Sequence, residues 1–181
     1  YCTNYLIDLD HAVIVGVEAT TAIRQAEVTA QRRMIERAYD RFGLQPDRLV
    51  ADTGYGDAAN LAWLVEEKGI QPHIPVFDHS KRRDGTFERG DFTFDQETDR
   101  YTCPGGKVLK PKNRNFAAPR PGVDADGFIR YRASKLDCDV CALKPKCCPV
   151  TPMRKIMRSK HEGCRDLARS IAMTDAYLVS H

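Results

Sequence analysis

Between Tyr5 and Val76 the apolar residues change period several times, and this alternation limits the fold more than any other feature of the chain. Tyr5 to Ala19 reads YLIDLDHAVIVGVEA, two runs rich in Val, Ile and Leu around Asp8-Leu9-Asp10-His11. Such runs about a polar tetrad predict a β-hairpin, and the second is apolar enough for a central strand. Val28, Ile35, Ala38 and Phe42 then recur at helical spacing among Arg32, Arg33, Glu36, Arg37 and Asp40. Thr20 and Thr21 are the expected caps of that helix and Gly43 its expected stop. Arg48 to Ala51 predicts a short strand running into Asp52-Thr53-Gly54-Tyr55-Gly56. Ala58 to Lys68 predicts a helix with Leu61, Leu64 and Val65 facing inward and Gly69 closing it, and Gln71 to Val76 another strand. The order strand, strand, helix, strand, helix, strand is a mixed α/β pattern in which helices cover a sheet.

The character changes after Val76. Asp78 to Gly90 is polar and glycine-bearing and reads as a linker or loop, and Phe92 to Cys103 reads as a hairpin about Gln96-Glu97-Thr98-Asp99. Cys103-Pro104-Gly105-Gly106-Lys107 predicts a tight turn, residues 111–127 an irregular stretch, and Phe128 to Ala133 a further strand. His161 to Met173 carries Cys164, Leu167, Ala168 and Ile171 at helical spacing. We therefore expect an α/β core over 1–77, a small cysteine-bearing, β-rich insertion over 78–153, and a helix within 154–181 returning to the core. A chain that is 42% hydrophobic and 29% charged is a globular composition, not a disordered one. No apolar run approaches the roughly 20 residues of a membrane span, and no signal peptide opens the chain, which together predict a cytoplasmic protein without membrane contact. Tyr1 stands where an initiator Met would, inside an apparent strand, so a piece of a longer protein is expected.

Asp52 follows Leu49-Val50-Ala51, so its carboxylate is predicted at the C-terminal end of a strand. In open α/β sheets ligands bind in the crevice beyond those ends. Gly54 and Gly56 would let another group approach closely. A carboxylate there suits Mg²⁺ or Mn²⁺, hard cations that prefer oxygen. The plainer role for such a residue is to cap a turn or the next helix.

Seven cysteines, an odd count, with Cys138, Cys141, Cys147 and Cys148 crowded together, favour metal or free thiols over a disulfide framework. Cys138-x-x-Cys141 puts two thiolates on one tight turn, a common grip on Zn²⁺. Cys147 or Cys148 lies a short loop away, and Cys103 is placed to supply a fourth ligand. Adjacent Cys147 and Cys148 cannot easily both ligate one ion, so one is spare; Cys103, Cys138, Cys141 and Cys147 form the expected set. A small, loop-rich insertion has little core, so a structural metal would explain its stability. His73 and His79 form no recognisable site.

The order of these segments resembles the DDE transposases of bacterial insertion sequences. Tyr5 to Asp8 and Val15 to Thr20 look like that family's second and third strands. Asp52-Thr53-Gly54-Tyr55 resembles its Asp-x-Gly-Tyr motif, and Trp63 to Pro75 the helix and strand behind it. Tyr101-Thr102-Cys103-Pro104 and Cys138-x-x-Cys141-x-Leu143-Lys144 look like the cysteine-bearing insertion of one branch. The resemblance implies a ribonuclease H-like mixed sheet flanked by helices, DNA cleavage and strand transfer at insertion-sequence ends, and two divalent metals held by two Asp and one Glu. Asp52 would be the second member of that triad. The first Asp would lie upstream of Tyr1 and the Glu past His181, while Asp8 and Glu18 read as a solvated turn residue and a similarly placed bystander. The chain alone is therefore not expected to cleave DNA.

The net charge of +3 is compatible with nucleic acid without arguing for it. Lys144, Lys146, Arg154, Lys155 and Arg158 make the C-terminal third basic and are the expected phosphate contacts, with Lys81-Arg82-Arg83 and Lys107 to Arg114 adding to them. DNA is the expected partner, and a homodimer the expected state of the parent protein. The alternative is a non-catalytic, zinc-bearing nucleic-acid-binding module or a degenerate transposase remnant.

Overall fold

The computed structural model describes residues 1–78, 82–111 and 122–180. In chain order the elements are β1 (Cys2–Asp8), β2 (Val13–Thr20), α1 (Arg24–Phe42), β3 (Arg48–Val50), α2 (Ala58–Ala62), β4 (Gln71–His73), β5 (Thr93–Asp95) and β6 (Arg100–Thr102). There follow β7 (Val108–Pro111), β8 (Phe128–Arg132), α3 (Lys135–Asp139), α4 (Lys144–Cys147), β9 (Lys155–Ser159), α5 (Glu162–Ile171) and α6 (Asp175–Ser180). They belong to two compact units, one of Tyr1–Phe77 with Gly163–His181 and one of Asp78–Glu162.

In the first unit β1 and β2 form the expected antiparallel hairpin, with Tyr5 opposite Val17 and a bulge between Leu6 and Ile7. Asp8, expected in the turn, is instead the last residue of β1, opposite Val13, and its side chain reaches over the turn that follows. Its Oδ1 accepts the Asp10 N–H at 3.0 Å and its Oδ2 meets His11 Nδ1 at 2.8 Å. The His11 hydrogen bond holds the Asp8 carboxyl below its ordinary range, and Asp8 in turn raises His11. Gly16 faces α1, where a side chain would meet Met34 at 3.6 Å.

Helix α1 buries Ala30, Gln31, Met34, Ile35 and Ala38 along one face. Gly43 ends it in the left-handed region at φ 65°, returning its N–H to Ala38 and Tyr39 carbonyls. The threonine caps are not used: the N-cap is Ile23, with no side-chain capping bond. Thr20 is the last residue of β2, and its hydroxyl accepts the Asn4 amide at 3.0 Å.

Strands β3 and β4 pair in parallel, Leu49 opposite Pro72 and Val50 opposite His73. A parallel pair needs a crossover, which α2 and the turn after it supply. That segment is not one continuous α-helix. From Trp63 to Glu67 it widens into a π-turn, with the Lys68 N–H bonded to the Trp63 carbonyl at 3.1 Å. The wider turn lets four consecutive residues, Leu61 to Leu64, all be buried. They meet Ile35, Leu49, Ile70 and Ile74 with Cys164 and Ala168 of α5 in one core.

Cys164 is sealed in that core, its thiol donating to Glu66 Oε1 at 3.2 Å. Burial, then the Glu66 carboxylate, push the thiol up to about 11. The thiolate is the reactive form, so at pH 8 the folded chain is expected to alkylate Cys164 at least roughly tenfold more slowly than the less buried Cys2, by mass-spectrometric mapping. Equal rates in the folded protein would contradict this placement.

The second unit is a five-stranded antiparallel sheet in the order β5-β6-β7-β8-β9. Its core joins Phe92, Tyr101, Leu109, Tyr131 and Ile156 to Ala133, Cys138, Cys147 and Cys148. Phe94, Tyr101 and Tyr131 pack at centroid distances of 4.8 to 6.0 Å, and Arg158 lies 3.8 Å over the Phe94 ring. Tyr131 donates to Asp99, and burial followed by that carboxylate raises its phenol. Among the described residues no helix is long and apolar enough to cross a membrane.

Candidate catalytic aspartate and cysteine cluster

Asp52 stands two residues beyond β3, where the sequence places it, and its backbone is extended. Its Oδ1 accepts the Gly54 N–H at 2.7 Å, and the Tyr55 N–H reaches its carbonyl at 3.1 Å. The carboxylate therefore caps the single 3₁₀ turn Thr53–Tyr55 and remains exposed to solvent. Capping occupies one oxygen and leaves the other free to meet a cation or a donor. Asp57, five residues on, caps α2 through the N–H groups of Ala59 and Asn60, both at 3.0 Å.

Two close approaches fix this turn. A side chain at Gly56 would place Cβ 2.0 Å from the Pro75 carbonyl oxygen. Fully buried Asn60 donates to the Tyr55 carbonyl at 3.0 Å and to Gln31 Oε1 at 2.8 Å, and accepts Arg32 Nε at 3.1 Å. The Tyr55 phenol is raised first by burial, then by Glu27 and Asp52 and by Cys2. Glu27, in the first turn of α1, thus acts on the same phenol as Asp52. Nothing in local sequence announces Glu27, because only the packing of α1 brings it there.

Asp8 and Glu18 play the modest roles expected of them. Asp8 ends β1 and bonds the hairpin turn through its side chain, and Glu18 is paired with Arg33 and, at 3.5 Å, with Arg37. The Arg33 bond holds the Glu18 carboxyl below its ordinary range.

The five clustered cysteines line one cavity in the second unit, together with Gly105, Lys144 and Arg154. Cys103 sits in the predicted turn, where the Lys107 N–H donates to its sulfur at 3.3 Å and the Gly106 N–H to its carbonyl at 2.8 Å. A Cβ on Gly105 would lie 3.7 Å from Cys103 Sγ and 3.6 Å from Cys141 Sγ, so the two sulfurs flank that residue. Burial raises the Cys138 thiol, which also interacts with Cys148 and Cys141. It likewise lifts Cys147 to about 11, with Cys148 adding to the effect.

The basic residues are placed unequally. Lys146 and Lys155 are exposed. Lys144 is tied to Asp139 at 2.7 Å, and Arg158 is half-buried over Phe94. Arg154, expected on the surface, is only 5% exposed. Its guanidinium donates to the carbonyls of Cys147 at 2.9 Å and Phe87 at 2.7 Å and stacks on Phe92, which puts it out of reach of a phosphate. Lys81, Lys112, Arg114 and His79 lie outside the described residues.

A family model described as the Transposase DDE domain matches residues 4–170, nearly the whole chain. The chain belongs to the DDE transposase family. No curated protein and no solved structure matches it. Its α/β fold is that of a ribonuclease H-like DDE domain, with the hairpin, the parallel pair and their covering helices in the first unit and the cysteine-bearing sheet in the second. Yet among the described residues no group of three or more His, Cys, Asp or Glu is arranged as a ready metal site. The described residues do not by themselves form a two-metal site.

Proposed function

We propose that this chain acts as a DNA-binding, catalytically incomplete part of a DDE transposase. In a complete centre Asp52 would supply one metal-binding carboxylate at insertion-sequence ends, with Mg²⁺ or Mn²⁺ activating the nucleophile and stabilising the leaving oxygen. The observation that carries this reading is the isolation of Asp52. Its carboxylate is exposed at the end of β3 and already caps its own turn, and no set of three such groups surrounds it among the described residues. One carboxylate cannot neutralise two divalent ions, so the chain binds DNA without cutting it. Exposed Lys146 and Lys155 supply phosphate contacts, with Lys144 and Arg158 beside them as partly engaged cations.

Fluorescence anisotropy with duplex DNA over a salt series tests the binding. Affinity is expected to fall steeply with salt, and K146A/K155A to flatten the log–log slope by about 2, close to 0.9 for each lost contact. A strand-transfer assay with Mg²⁺ and with Mn²⁺ tests the rest, and no product is expected. Absence of salt-sensitive binding would overturn the DNA-binding role, and strand transfer by the 181-residue chain the incomplete centre.

A further inference from the structure

The second unit contains a problem of charge that its own residues do not solve. Arg154 is buried, its Nε has no hydrogen-bond partner, and its remaining bonds go to neutral carbonyls. Among the described residues no carboxylate forms an ion pair with it. A guanidinium stays charged at any ordinary pH, and a buried charge without a counter-charge is costly. The Arg154 side chain lines the same cavity as Cys138, Cys147 and Cys148 and binds the Cys147 carbonyl at 2.9 Å. Lys144 lines the same cavity and is paired with Asp139 at 2.7 Å. Two cations thus line the cavity that the sulfurs share.

The sulfurs come from separate segments. Cys103 is on the β6–β7 turn, Cys138 on α3, Cys141 just after it, and Cys147 on α4. The Lys107 N–H donates to Cys103 Sγ at 3.3 Å. Cys103 and Cys141 flank Gly105. Cys138, Cys147 and Cys148 line the same cavity as these two. The Cys147 carbonyl is the one Arg154 binds.

We propose that Cys103, Cys138, Cys141 and Cys147 bind one structural Zn²⁺, with Arg154 as its buried counter-charge and Cys148 left as an unligated thiol against the cluster. Four zinc–sulfur bonds form and the four thiol protons pass to solvent, leaving a centre of net negative charge that Arg154 and Lys144 offset. No ready-made cage of three or more such groups is present among the described residues; closing one draws on the χ1 freedom of the cysteine side chains. The ion ties the hairpin turn to the two short helices, which a sheet of three- to five-residue strands otherwise holds only weakly. This inference is independent of any role in DNA cleavage.

Elemental analysis of the purified 181-residue chain is expected to give equimolar zinc, and zinc X-ray absorption to show four sulfurs at about 2.3 Å. C148S is expected to keep both features. In that variant only four cysteines remain around the cavity, so a four-sulfur signal identifies every ligand even if C147S fails to fold. Where C147S and R154M do fold, each is expected to weaken zinc affinity at least tenfold. Negligible zinc in a folded chain, fewer than four sulfur ligands, or loss of zinc from C148S would overturn the assignment.

Discussion

Alanine at Gly56 is expected to destabilise the first unit by about 3 kcal/mol or more, at the upper end of what overpacking a buried site costs. The reason is space and not backbone freedom, because φ at Gly56 is an ordinary −85°. A Cβ would fall 2.0 Å from the Pro75 carbonyl oxygen and 2.8 Å from the Phe77 nitrogen. Both are backbone atoms and cannot swing aside as a side chain would. The Phe77 N–H is itself bonded to the Gly56 carbonyl at 2.9 Å, so relief by separation breaks that bond. Gly54→Ala makes the control: its Cβ would lie 2.8 Å from Asp52 Oδ1, the end of a side chain that can rotate. That change costs the capping bond of Asp52 and little of the fold. Urea unfolding of both variants decides the matter, and a Gly56→Ala midpoint equal to that of the parent chain would show that the approach to Pro75 is not this close in solution.

Asn60→Ala is the second large effect, expected at about 3 kcal/mol. Asn60 is fully buried and joins three partners: the Tyr55 carbonyl, Gln31 Oε1 and Arg32 Nε. Truncation leaves these groups without their partner where water reaches them poorly, and a buried unsatisfied polar group costs roughly 1–3 kcal/mol. Gln31 is affected most, because its Nε2 already lacks a partner. The loss also frees the turn that carries Asp52 from α1, so faster hydrogen exchange at the Gly54 and Tyr55 amides is expected alongside the drop in stability. Arg32→Ala is expected to cost less, since Arg32 is only part-buried and stacks on Trp63 from the outside. If Asn60→Ala and Arg32→Ala proved equally mild, Asn60 would not be the link between α1 and the motif.

Much of the first unit could be read directly, because its signals are local. The hairpin at Asp8–His11, the left-handed stop at Gly43 and the strand–Asp–turn of Leu49 to Gly56 each follow from residues close in sequence. The threonine caps misled because Thr20 was claimed first by β2, a pairing made with a strand far from it along the chain. Strands β7 and β9 went unread for a similar reason. Val108–Pro111 and Lys155–Ser159 are short, and the second is largely charged. Their strand character comes from neighbours across the sheet and not from their own pattern.

The sequence by itself determined the family and the α/β order, since each depends on residue type and spacing. It also placed five cysteines within two short segments. Only the tertiary structure decided what surrounds them. Folding gathers those cysteines about one cavity and buries Arg154 against it, turning an expected DNA contact into a counter-charge. It likewise brings Glu27 to act on the phenol that Asp52 also perturbs. Charge balance and close approach are properties of groups distant in sequence, so a one-dimensional pattern cannot express them; packing can.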